Sequence, residues 1–60
     1  MPEPLIDYPG AAAYLATTER HVRDLQARRQ LASVRIGRLV RFRRADLDRY
    51  IAKNTVEASR

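Results

Sequence analysis

Apolar positions along the chain form three helix-like stripes and one strand-like alternation. Tyr8, Ala11, Ala12 and Leu15 stand at i, i+3, i+4 and i+7, which places them on one face of a helix. Asp7 is positioned to cap that helix and Pro9 is tolerated in its first turn, so the pattern predicts a first helix over Tyr8–Leu15. Ala16 and Thr17 break the stripe. Thr18 then serves as N-cap for a second helix that carries Val22 and Leu25 inward and ends near Arg29. The short connection has helix-turn-helix length, in which one helix braces the next at a steep angle.

From Val34 to Phe42 the chain alternates apolar and basic residues on either side of Gly37, the pattern of a β-hairpin. If Val34, Ile36, Val40 and Phe42 all face the core, Ile36 pairs with Val40 and Val34 with Phe42, leaving Gly37, Arg38 and Leu39 as a three-residue loop. In that register Arg35 and Arg41 are cross-strand neighbours on the outer face, which repel each other unless an anion lies over them. A third helix starts at Arg43 or Arg44, with Leu47, Tyr50 and Ile51 at helical spacing and Asp46 and Asp48 near its positive N-terminal end. The expected fold class is therefore mainly α with a small β-hairpin, a winged helix-turn-helix in the order helix, helix, two-stranded wing, helix. Residues 6–53 form the domain, 1–5 a flexible N-terminus and 54–60 a flexible C-terminal tail.

Composition narrows the function. Sixty residues suffice for one small domain and are too few for a large enzyme fold. With no Cys and one His, the chain offers neither a disulfide nor a zinc knuckle nor a thiol nucleophile. His21 has no second ligand or nucleophile at a workable spacing, so no catalytic residue, metal site, cofactor or small-molecule ligand is expected. The longest apolar run, Ala11 to Ala16, falls far short of the roughly 20 residues a membrane span needs. A soluble protein in a reducing, cytoplasmic setting fits.

Charge changes the picture most. The net charge is +5, and residues 20 to 44 carry nine Arg against Asp24 alone. That block covers the second helix, the hairpin and the start of the third helix, so a polyanion is the expected partner. With Val22 and Leu25 inward, Arg20, Arg23, Asp24 and Ala27 point outward, flanked by His21 and Arg28. Asp24 lies four residues from both Arg20 and Arg28 and steadies their guanidinium groups. Thr18 sits at a helix N-terminus, where phosphate is favoured. The candidate DNA-binding residues are Thr18, Arg20, Arg23 and Arg28 from the helix, Arg35, Arg38 and Arg41 from the wing, and Arg43 after it. Double-stranded DNA would meet the helix in its major groove and the hairpin tip along the backbone or in the adjacent minor groove.

Several ordered pieces carry a family resemblance: Ala11-Ala12-x-Tyr14-Leu15, Thr18-x-Arg20-x-Val22-Arg23-x-Leu25, Leu31, Val34-Arg35-Ile36-Gly37-Arg38-x-Val40-Arg41-Phe42, and Arg44-x-Asp46-Leu47-Asp48-x-Tyr50-Ile51. Over Ile6 to Ile51 the chain resembles the excisionase-type winged helix-turn-helix domains related to the MerR DNA-binding head. The resemblance implies a phage or mobile-element excisionase, a recombination directionality factor in a bacterial cytoplasm that binds adjacent sites, bends DNA and directs an integrase toward excision. Head-to-tail self-association on DNA and an integrase partner are part of that implication. A small transcriptional regulator of the same class, or a DNA-packaging adaptor, remains an alternative. The family usually has Gly where Ala16 and Arg29 stand and Pro where Ala32 stands; Ala16 suggests a turn without a positive φ. Leu39, apolar at the wing tip, has two candidate uses: against a sugar face in the groove, or against another subunit.

Overall fold

The computed structural model describes residues 4–56. Its elements are α1 (Tyr8–Leu15), α2 (Glu19–Ala27), β1 (Val34–Ile36), β2 (Leu39–Arg41) and α3 (Arg44–Lys53), three helices and a two-stranded antiparallel hairpin in winged helix-turn-helix order. The expected flexibility at residues 1–3 and 57–60 lies outside the described residues. Among those described, Asn54 and Thr55 close the end of α3, the Asn54 Nδ2 donating to the Tyr50 carbonyl at 2.9 Å and the Thr55 hydroxyl to that of Ile51 at 2.6 Å. No helix among the described residues is long and apolar enough to cross a membrane.

Local chemistry sets the helix starts. Asp7 Oδ1 accepts from the Gly10 amide at 2.9 Å, and Thr18 Oγ1 accepts from the His21 amide at 3.1 Å, so both predicted N-caps form. Gly10 also makes room: a Cβ there would lie 2.8 Å from Ile6 Cγ2. That clearance lets the segment before α1 run alongside the wing, where Ile6 and Phe42 exchange two backbone hydrogen bonds at 2.8 and 2.7 Å.

The helix ends correct one expectation. Ala16 has φ 55°, in the left-handed region, so the turn does require a positive φ. The Ala16 amide donates to the Ala13 carbonyl and the Thr17 amide to that of Ala12, the paired bonds of a Schellman motif. The same motif ends α2: Arg29 has φ 60°, its amide donates to Gln26, and that of Gln30 donates to Leu25. Arg28 is the C-cap, so the helix closes at Ala27 and Arg28 and Arg29 turn the chain away. Both left-handed positions are those where the resembling family carries glycine, and here side chains occupy them against a cost of roughly 1–2 kcal/mol per residue.

The hairpin register also differs from expectation. Val34 pairs with Arg41, Arg35 with Val40 and Ile36 with Leu39, so the loop is the two residues Gly37 and Arg38. Gly37 has φ 60° at the first central position, where a type II′ turn requires it, and that turn's twist matches the strands'. Parity then shifts by one. Val40 packs on the core and Phe42 is buried in it, whereas Ile36 faces outward. Arg35 and Arg41 lie on opposite faces and are not cross-strand neighbours.

Seven buried side chains make the core: Ala11, Ala12, Val22, Leu25, Leu31, Phe42 and Leu47. Ile6, Tyr8, Leu15, Val40 and Tyr50 pack around them half-buried. Phe42 joins helices to wing, its ring meeting Tyr8 edge-on at 5.5 Å between centroids. Across the other side, the Tyr14 hydroxyl donates to Asp48, tying α1 to α3.

Candidate nucleic-acid interface

The predicted contact residues fall into three environments. On α2, Arg20, His21, Arg23 and Asp24 line a shallow surface depression facing away from the core. Arg20 is exposed and makes no ion pair or hydrogen bond among the described residues. Arg23 is seated on the fold, its guanidinium carbon 4.3 Å from the centroid of the Tyr8 ring, a cation–π contact that restricts where the fork can lie. Arg28 pairs with Asp24 at 3.3 Å. Asp24 thus steadies Arg28 but not Arg20, where the sequence spacing had allowed both. Thr18 spends one hydroxyl lone pair on its own helix, and its exposed position leaves the oxygen within reach of solvent.

In the wing, Arg35 and Arg38 are exposed and unpaired among the described residues, with Arg38 at the turn itself. Arg41 behaves differently. It is half-buried and its Nη1 donates to the Val40 carbonyl at 2.8 Å, so its head lies back along its own strand.

Arg43 is the candidate most committed to the fold. Its Nε and Nη2 donate to the two carboxylate oxygens of Asp46 at 2.6 and 3.2 Å. Asp46 is buried, and Arg49 reaches it as well at 3.8 Å. Hydrogen bonding to Asp46, and secondarily its charge, raise the Arg43 pKa above the ordinary arginine value. Arg43 thus braces the first turn of α3 through Asp46 while its own side chain stays 61% exposed.

Sequence reasoning missed three participants. Tyr8, which its spacing places on the apolar face of α1, also seats Arg23; only the docking of α1 on α2 brings them together. The Arg43–Asp46 clamp was visible as an i, i+3 pair of opposite charge. Alternation puts Ile36 on the core face, whereas Gly37 at the first position of a two-residue turn is the signal that places it outside.

A helix pair joined by a tight turn, with an arginine-bearing second helix and an arginine-tipped hairpin, defines a winged helix-turn-helix domain. Comparison with protein families matches residues 10–55 to the helix-turn-helix domain family, and the chain belongs to that family, which includes excisionase-like DNA-binding domains. Membership suggests DNA as the partner. No curated protein and no solved structure matches the chain.

Proposed function

We propose that residues 6–53 form a sequence-specific duplex-DNA-binding domain acting as an excisionase, a recombination directionality factor that occupies adjacent sites, bends the DNA and directs an integrase toward excision. The observation that carries the DNA reading is the set of uncompensated arginines, Arg20 on α2 with Arg35 and Arg38 on the wing, in a fold whose second helix fits a major groove. In this reading Arg20 and Arg23 read base edges, Thr18 and Arg28 meet phosphates beside them, and Arg35 and Arg38 neutralise backbone across the wing. Arg41 and Arg43 meet the backbone with the guanidinium donors that their internal bonds leave over, as Arg28 does beside Asp24. The recombination role draws its support from the sequence resemblance. Small domains bury little interface on DNA, so neighbouring copies bound side by side supply the selectivity one copy lacks.

The test is a footprint on the native element, attachment site and neighbouring promoter together, across protein and salt concentration. Adjacent direct repeats filling cooperatively in the attachment arm, with integrase excision stimulated, are the expected result. A single protected promoter operator would assign the chain as a transcriptional regulator instead. Absence of protection on any duplex would overturn the DNA reading itself.

A further inference from the structure

The observed hairpin register leaves an apolar pair at the wing tip that no described residue covers. Ile36 and Leu39 oppose each other on the last rung before the turn, 49% and 52% exposed, while the sheet's other face sends Val40 and Phe42 to the core. Gly37 and Arg38 cap this rung, so the tip presents two branched aliphatic side chains beside one exposed guanidinium.

We propose that Ile36 and Leu39 form a wedge that enters the minor groove beside the site of α2, presses on deoxyribose faces and partly unstacks one base step, kinking the duplex. The inference rests on the DNA-binding reading and deepens it, since it assigns the bend to two named side chains. Branched apolar residues are the kind that proteins insert between base steps from the minor groove. Charge selects DNA over a second copy of the chain. The pair sits within the stretch that carries nine Arg and one Asp, which attracts a polyanion and repels its own duplicate. Size points the same way: a stable protein interface needs about 800 Å² from each partner, far more than two half-exposed side chains offer. Arg38 on the same tip suits the negative potential of a narrow minor groove. The kinked step should be a TA or CA/TG step, because these open most readily.

The experiment uses the full chain and the duplex that it enriches from a random-sequence pool. Bending is read by energy transfer between dyes at the duplex ends, and unstacking by permanganate reactivity of thymines. The wild-type protein should bend the duplex by about 20–90° and make thymine at one step hyper-reactive. In the Ile36→Thr, Leu39→Thr double variant, which places β-branched residues at both strand positions, more than half the bend and the reactive thymine should disappear. The salt slope should stay unchanged, since no phosphate contact is removed. Leu39→Met, which keeps apolar bulk, should retain the bend, and a cooperative melt should show each variant folded. A bound but straight wild-type complex, or a double variant that bends as wild type does, overturns the wedge and leaves the DNA reading standing. Loss of a wild-type dimer in the double variant by sedimentation, with the bend intact, also overturns it and assigns the face to self-association. Failure to enrich any duplex removes the DNA reading and the wedge together.

Discussion

Both α2 and the wing carry arginines outward, but they hold them in different ways. On the helix, Arg23 lies over Tyr8 and Arg28 is tied to Asp24, so two of its three cations have a defined direction before any partner arrives. On the wing, Arg35 and Arg38 have no such support among the described residues. Ordering a long side chain on binding costs about 0.5–1.5 kcal/mol, and a stacked guanidinium has already lost part of that freedom. The difference suits two kinds of contact: on the helix Arg23 is a fixed fork that can discriminate a base edge beside the unsupported Arg20, and the wing presents adaptable charge that follows a backbone of any sequence.

The strongest way to break the comparison is to cut the link between the regions. Phe42→Ala should cost about 3–5 kcal/mol, as much as a domain this small has to lose, and the cooperative thermal transition should vanish by circular dichroism. A transition within a few degrees of wild type would show that helices and wing stand independently. Next in size is the division of labour on DNA. Arg20→Ala should cost about 1–3 kcal/mol on the preferred duplex and little on random duplexes, whereas Arg38→Ala should weaken every duplex alike and lower the salt slope by about one. Titrations of both variants at several salt concentrations check this, and exchanged behaviour would reverse the roles given to helix and wing.

Smaller effects sharpen the picture. Ala16→Gly and Arg29→Gly should each stabilise by about 1 kcal/mol, a rise in Tm of roughly 4–8 °C, because glycine adopts the left-handed conformation without a Cβ penalty. Only Arg29→Gly also removes a basic charge, so a loss of affinity confined to it would extend the contact surface past the end of α2. The smallest effect is the coupling between Tyr8 and Arg23. A thermal double-mutant cycle with Tyr8→Leu and Arg23→Ala should return about 0.5–1 kcal/mol, and a value near zero would mean Arg23 is no better directed than Arg38.

The three helices were legible in the sequence because their signals are local: a cap residue, then apolar residues at helical spacing. Asp7, Thr18 and the stripe of Leu47 and Tyr50 each act within a few residues of one another, and the observed bounds follow them. The wing register was not legible from alternation, because Val34, Ile36, Val40 and Phe42 are all apolar and the core has room on that side only for Val40 and Phe42. Turn chemistry at Gly37 decides between the registers, and it outweighs the tally of apolar residues. The left-handed turns at Ala16 and Arg29 were hidden for the opposite reason: the residues present do not favour the conformation that helix packing demands of them. The basic block was legible as charge, but what each cation touches within the fold was legible only in part: the Arg43–Asp46 pair is local, whereas the seat of Arg23 on Tyr8 depends on the docking of two helices.

The pair of hydrogen bonds between Ile6 and Phe42 gives the domain an internal clock. Their amides are 36 residues apart in the sequence, and each is protected while the leading segment stays laid against the wing. Proton exchange at these two positions therefore reports the same opening event, the parting of the N-terminal strap from the sheet, rather than the fraying of separate ends. Matched exchange rates at the two amides, slowed together when the wing is occupied, would make them a direct gauge of how tightly a bound partner closes the whole domain.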